Sequence, residues 1–362
     1  MEGLNLQQDL SKDQFVSVTR DKYKTALAES RPLYAWFSIT EKCDLRCKLC
    51  FSDSGKPLDN ELTTQEVKAI IDNIADSGTK AIVFGGGEPL VRDDLLEIIS
   101  YTSRYMAVSI NTNGFSLTPD YAWDLREAGV FQVKVSVDGL RSTHDWNRGK
   151  GSYERAISAI KNCREVGINS VVMIPTVHKT NLHEIPDLTA MAMDLGAIFT
   201  IVEFLPLGRG SNHKDLMLSP EQTRELQFYL LEARKKYGDH KILFENRCLI
   251  TEEKELLKTC GNPDQGDGFC LGCAYGIFQY CINATGHVVA ADVLTLEAGD
   301  LKKESLRDIW HNSELLKQER DRDNLKGKCG RCEYRFVCGG CRRRAYAMTG
   351  DFMAADPGCW RK

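Results

Sequence analysis

Between about residue 33 and residue 210, short runs rich in β-branched and aromatic residues alternate with stretches whose apolar residues recur at helical spacing. The strand candidates are Tyr34–Thr40, Ala81–Phe84, Ala107–Thr112, Phe131–Val137, Ser170–Val177 and Thr200–Leu205. After the first, Thr63 and Glu66 make a capping-box pair ahead of Val67, Ile70, Ile71 and Ile74. Further helical patterns cover Leu95–Ser103, Tyr153–Val166 and Leu182–Leu195. Such alternation demands parallel strands with right-handed crossovers, so the fold class is α/β, either a barrel or a doubly wound sheet. Both architectures hold ligands at the carboxyl ends of their strands. The loops expected there are Glu41–Gly55, Gly85–Pro89 and Asn113-Gly114.

Beyond Gly210 the pattern changes to one long helix, Ser219–Tyr237, then a polar Gly- and Asp-rich stretch, Gly261–Gly268, and a cysteine-rich remainder. Residues 1–32 read as an N-terminal extension, 33–215 as the βα core, 216–261 as a linking segment, and 262–362 as a small module held by metal rather than by apolar burial. With 47 basic and 51 acidic side chains the formal charge is −4, which argues against a nucleic acid or other polyanion as partner. No apolar run approaches the ~18 residues of a membrane span. The segment Met1–Asn5 lacks the basic and apolar blocks of a secretory signal, and the expected compartment is the cytoplasm.

The chain has 14 cysteines, unevenly placed. Cys43, Cys47 and Cys50 stand together, nine lie between Cys260 and Cys359, and Cys163 and Cys248 stand alone, Cys163 reading as a small core residue. In a reducing compartment such clusters bind metal or do chemistry more often than they pair. Thiolates are soft ligands for zinc or iron–sulfur clusters, and structural zinc wants a fourth protein ligand that the first group lacks. Three thiolates on a four-iron cluster leave one iron open. The second motif, Gly85-Gly86-Gly87-Glu88-Pro89, follows a buried strand. Its glycines permit close backbone approach, and Glu88 makes it better suited to an ammonium group than to a phosphate.

Cys43-x3-Cys47-x2-Cys50, the GGE-type loop and the six βα units together resemble the radical S-adenosylmethionine (SAM) enzymes. The resemblance implies a partial (β/α)6 barrel, a SAM-binding four-iron–four-sulfur cluster on those three cysteines, and Gly85, Gly86, Gly87, Glu88 and Pro89 near the methionine amine. It also places Asn113, Ser136, Asp138 and Arg148 where ribose or carboxylate is contacted, and Leu49 near adenine in place of an aromatic residue or histidine. Cys329-x2-Cys332-x5-Cys338-x2-Cys341, with Cys359 beyond, resembles the SPASM extension and its auxiliary iron–sulfur clusters. By that resemblance Cys329, Cys332, Cys338 and Cys359 hold one cluster and Cys341 serves a second, whereas paired CxxC motifs by themselves also fit a zinc ribbon. Cys270, Cys273 and Cys281 are candidates for the second cluster, with Cys260 as a possible recruit. The position after Gly286 where the family has a cysteine is Ala291, which leaves one or two auxiliary clusters.

The implied reaction is one-electron cleavage of SAM to a 5′-deoxyadenosyl radical, hydrogen abstraction from a substrate, and electron transfer to an auxiliary cluster. The stretch Cys338–Tyr346, then Thr349-Gly350-Asp351 and Asp356-Pro357, together with Cys50–Gly55, resembles the branch of the alternative-haem and haem d enzymes. That implies oxidative decarboxylation of a tetrapyrrole side chain; Arg342, Arg343 and Arg344 have the chemistry to pair with carboxylates, or form a solvated or cluster-adjacent basic turn. A small-molecule substrate is preferred because about 30 residues precede the first strand, too few for a peptide-recognition domain. Rival readings are a peptide-modifying maturase, a carbohydrate or aminocyclitol dehydrogenase or epimerase, and a non-catalytic iron–sulfur or zinc protein. Arg209 and His144 are the candidate catalytic residues, and a flavodoxin or ferredoxin is the expected electron donor.

Overall fold

The computed structural model describes residues 11–243, 272–291 and 296–361. Strands β1 (Tyr34–Thr40), β2 (Ala81–Gly86), β3 (Ala107–Thr112), β4 (Val130–Ser136) and β5 (Ser170–Ile174) pair in parallel in the order in which they occur. Pro175 has no N–H, and the expected strand 170–177 divides there into β5 and β6 (Thr176–Val177). The last expected strand divides too. Its first part, β7 (Ile198–Thr200), continues the main sheet beside β5, and β8 (Val202–Glu203) pairs with β6 alone. Sequential order without a switch point is the topology of a barrel, not of a doubly wound sheet.

Helices cover the outer face. The first, α1 (Lys12–Ala28), precedes the barrel, and α2 (Thr64–Asp76), α3 (Leu95–Thr102) and α4 (Pro119–Glu127) fill successive crossovers. The β4–β5 crossover holds two helices, α5 (Arg141–Arg148) and α6 (Ser152–Glu165). Then α7 (Ile185–Asp194) leads to β7, and α8 (Pro220–Tyr237) to β9 (Ile242–Leu243) at the sheet edge. The Thr63 and Glu66 box caps α2, whose Val67, Ile70, Ile71 and Ile74 are all buried. Strand alternation sorts the rest: Ala35, Phe37, Ile39, Val108, Ile110, Val133, Val135 and Met173 join the helix-side core. Their neighbours Tyr34, Trp36, Ser38, Ser109, Asn111, Gln132, Lys134 and Ser136 therefore face the lumen. A polar lumen inside an apolar shell marks a binding barrel.

The boundary expected near residue 262 lies outside the described residues; beyond it the cysteine-rich region has an apolar cluster of its own, around Tyr275, Val289, Leu325 and Phe352, and also joins the barrel sheet. Strand β10 (Gln279–Ile282) lies parallel beside β1, and β11 (His287–Val289) and β12 (Glu297–Asp300) follow antiparallel. The result is a ten-stranded sheet. Tyr280, Ile282 and Val288, with Leu306, Ile309 and Trp310 from α9 (Leu306–Asn312), are buried in the same apolar cluster as the barrel. Sequence inspection underrated this burial because the strands are only three or four residues long. Short helices follow: α10 (Glu314–Arg320), α11 (Gly327–Gly330), α12 (Arg335–Cys338) and α13 (Arg342–Thr349). The N-terminal helix α1 packs on them, with Tyr23 and Phe336 rings 5.9 Å apart and Tyr23 Oη donating to the Arg320 carbonyl at 2.8 Å. No helix among the described residues is long and apolar enough to cross a membrane.

Candidate active site

The loop from Glu41 to Gly55 leaves the end of β1 and is closed at its base by the Cys43 N–H on Gly55 O (3.0 Å) and the Gly55 N–H on Glu41 O (2.9 Å). It carries Cys43, Cys47 and Cys50, all partly buried. The GGE loop presses against it. Gly87 N–H donates to Thr40 O at 2.8 Å and Glu88 N–H to Lys42 O at 2.9 Å. A Cβ on Gly87 would collide with the Lys42 carbonyl. These glycines are thus needed for backbone-to-backbone contact with the cysteine loop, a use that the sequence reading assigned to a ligand.

Glu88 also has a task within the fold. It is 1% exposed, and its carboxylate accepts from Thr112 Oγ1 and Asn113 N (each 2.7 Å) and from Leu90 N (3.1 Å). Both oxygens accept hydrogen bonds within the protein, and the side chain pins the end of β3. Burial pushes its pKa up to about 7, against those hydrogen bonds. Asn113 in turn donates from Nδ2 to Asp44 Oδ1 at 2.7 Å, tying β3 to the cysteine loop. Gly85 sits under the Trp36 ring, and buried Pro89 opens a short turn.

Asp138 is fully buried. Its Oδ2 accepts from Arg148 Nε and Asn147 Nδ2 (2.6 Å each), and its Oδ1 from Thr176 N (3.0 Å) and Arg148 Nη2 (3.3 Å). Burial alone would raise its pKa, but the charge and hydrogen bonds of Arg148 outweigh burial and hold it well below the usual carboxylate range. With every acceptor occupied, Asp138 positions Arg148, which lies beside the Cys47 and Cys50 thiols. Asn147 accepts the Leu49 N–H at 2.9 Å and so extends the same network into the cysteine loop, where Leu49 is buried. Ser136 is half-buried at the lumen end of β4.

Both candidate catalytic residues are engaged in hydrogen bonds within the protein. His144 lies in α5, not in a loop, and is fully buried; its Nδ1 accepts the Asp138 N–H at 3.1 Å. Burial lowers its pKa to about 4, so it is neutral and structural at ordinary pH. Arg209 staples the cysteine loop from outside, donating to Cys47 O (2.8 Å), Asp53 Oδ1 (2.6 Å) and Ser54 O (2.8 Å). Arg342 and Arg344 also make hydrogen bonds within the protein. Arg342 donates to the Phe352 and Ala354 carbonyls, both at 2.8 Å, and Arg344 to Asp356 (2.7 Å) and Glu203 (2.5 Å).

The thiol sets fit iron–sulfur clusters. Burial raises Cys43 to about 12 and raises Cys47 as well, so ionised sulfur here requires a bound metal to hold it. Arg148 and Arg209 beside Cys47 supply positive charge for such an anionic group. Cys329, Cys332, Cys338 and Cys359 line one cavity of about 220 Å³. Gly340 backs it, where a Cβ would stand 3.1 Å from Cys329 Sγ. Among the described residues no three His, Cys, Asp or Glu side chains close around a point suited to a single ion. Cys341 instead opens on a second cavity, of about 370 Å³, between the barrel and the C-terminal region. Cys273, Cys281 and Ala291 are buried together in one apolar cluster with Cys329. Cys163 is a core residue of α6, whereas Cys248, Cys260 and Cys270 lie outside the described residues.

The sequence reading missed Lys134, Trp36 and Asn111, which face the lumen. A signal was present for the first: a lysine alternating with Val133 and Val135 inside a strand.

Residues 37–192 match the family model "Radical SAM superfamily", and residues 273–333 match the SPASM model, described as an iron-sulfur cluster-binding domain. The chain belongs to the radical SAM superfamily and is an enzyme that uses S-adenosylmethionine and a four-iron–four-sulfur cluster, with a SPASM domain for auxiliary iron–sulfur binding. It is 36% identical over 348 residues to the AdoMet-dependent heme synthase of Methanosarcina barkeri, covering 92% of this chain and 97% of that one. It is 30% identical over 336 residues to the mycofactocin maturase MftC of Mycolicibacterium smegmatis, covering 91% and 82%. In fold it is similar to Streptococcus suis SuiB bound to the precursor peptide SuiA, with a TM-score of 0.76, 18% identity, and coverage of 100% and 84%.

Proposed function

We propose that this enzyme makes haem-type tetrapyrroles by oxidative decarboxylation, converting carboxylate side chains of an iron tetrapyrrole to vinyl groups. The observation that carries the reading is the 36% identity to a haem synthase across nearly the whole of both chains. Support comes from the larger cavity, whose Ile174, Val202 and Leu205 suit an apolar body and whose basic residues suit carboxylates.

Cys43, Cys47 and Cys50 would hold the SAM-binding cluster, and Cys329, Cys332, Cys338 and Cys359 an auxiliary one. Bound there, these groups supply one-electron cleavage of SAM to an adenosyl radical and an acceptor for the electron left by the substrate. The residues of the chain do the rest. Arg209, Asp44 and the GGE loop fix the cysteine loop, and Arg148 places a guanidinium beside two of its thiols. Overall, each ionised side chain loses carbon dioxide, one hydrogen atom and one electron. A flavodoxin or ferredoxin would supply the reducing electron, and a reducing cytoplasm suits cysteines kept as metal ligands.

The test is anaerobic incubation of the reconstituted enzyme with SAM, a reductant and iron coproporphyrin III, a tetrapropionate, followed by mass spectrometry. Vinyl products with matching 5′-deoxyadenosine are expected. Failure to convert any porphyrin, with SAM cleavage stimulated only by a peptide, would overturn the reading in favour of a maturase.

A further inference from the structure

The strand β4 carries a lysine into the barrel. Lys134 pairs in register with Asn111 of β3 and Val172 of β5, and lies on the lumen side of a strand whose Val133 and Val135 fill the helix-side core. Its Nζ has one weak neighbour, Tyr34 Oη at 3.5 Å. Among the described residues no carboxylate comes within salt-bridge distance of it. An ammonium group so placed is costly to bury unless a partner arrives. Consistent with that, burial alone lowers its pKa to about 8, with no neighbouring charge contributing.

Two further lumen groups point the same way. Trp36 Nε1 and Asn111 Oδ1 are buried and have no hydrogen-bond partner within the protein. Native interiors satisfy almost all such atoms, so orphans sharing a lumen call for a ligand. The cavity that Lys134 lines extends to Cys341, and Arg343 from α13 lines it as well. The acidic residues of that lining, Glu203 and Asp356, are both bonded to Arg344. The lining of the cavity therefore combines apolar side chains with a lysine from the barrel and an arginine from the C-terminal region.

We propose that Lys134 anchors a carboxylate of the substrate inside the barrel, with Arg343 receiving a second carboxylate from the C-terminal region. The two cations face a shared space from different parts of the chain, so the pair selects a rigid polycarboxylate that bridges them. Lys134 is thus a positioning residue for substrate. The inference rests on the tetrapyrrole reading and deepens it by assigning the groups that recognise the side chains.

The test is an anaerobic titration of the cluster-loaded enzyme, followed by the porphyrin absorption band, with iron coproporphyrin III as free acid and as tetramethyl ester. Lys134→Met keeps the length of the side chain and removes its charge. It should weaken binding of the acid on the order of 10- to 100-fold and leave the ester nearly unaffected. Lys134→Arg should restore much of the affinity, and Arg343→Gln should weaken the acid selectively as well. Iron content and thermal midpoint confirm that each variant is folded. Equal affinity of wild type and Lys134→Met for the acid, with wild type still converting it, would overturn the anchor alone. Failure of wild type to bind or convert the acid would overturn the tetrapyrrole reading and the anchor with it.

Discussion

Replacing Asp138 by asparagine tests the buried network that supports the cysteine loop. The two carboxylate oxygens each accept from two donors: Oδ2 from Arg148 Nε and Asn147 Nδ2, Oδ1 from Thr176 N and Arg148 Nη2. Whichever way the introduced amide turns, its NH2 group faces two donors. The substitution also strips the counter-charge from Arg148, whose side chain is 13% exposed. Removing one partner of a buried pair costs about 3–5 kcal/mol, because the remaining charge stays desolvated. Chemical denaturation of the cluster-loaded protein should show that loss, and iron should dissociate faster because Asn147 no longer holds the Leu49 backbone. Asp138 titrates below the usual range, so its stabilisation is present above the unfolded pKa and vanishes only as pH falls through the folded value. The deficit should therefore be constant between about pH 6 and 9. The double variant Asp138→Asn/Arg148→Met should regain at least about 1 kcal/mol over the single one. A loss below about 1 kcal/mol, or no recovery in the double variant, would refute the claim that a desolvated charge sets the cost.

Gly87→Ala should cost about 2 kcal/mol or more and lower iron retention, since the new methyl meets the Lys42 backbone, which cannot step aside. Arg209→Met removes three hydrogen bonds to the cysteine loop and should accelerate iron loss under a chelator, while far-UV dichroism stays unchanged. Serine variants of Cys329, Cys332, Cys338 and Cys359 should each lose the same complement of iron, and Cys163→Ser none, as read by iron assay and absorbance. His144 has a folded pKa of about 4 against 6.5 unfolded, so its stabilisation is full above pH 6.5 and declines as pH falls toward 4. His144→Asn should flatten the fall in stability over that window, measured by denaturation at a series of pH values; an unchanged slope would show that another group is responsible.

Local chemistry was enough to expose the βα alternation, the Thr63 and Glu66 cap, and the two cysteine motifs, because each is written within a few consecutive residues. The divided strands were less legible. Pro175 was visible, but only the folded chain shows that the next amide is taken by Asp138. The short strands Gln279–Ile282 and His287–Val289 are too brief to carry a period, and their burial follows from lying beside the barrel edge at Tyr34–Phe37.

The linear order of residues determined which groups can hold iron, since thiol softness and spacing are properties of the chain itself. Tertiary structure decided what the remaining polar residues do. Glu88, Asp138, His144, Arg342 and Arg344 looked like ligand-binding groups, yet each makes hydrogen bonds within the protein that no local pattern announces. Lys134, unremarked in a strand, faces the lumen. The reason is physical: hydrogen bonds and buried charges are satisfied by whatever the fold brings within about 3 Å, and no local pattern records that distance.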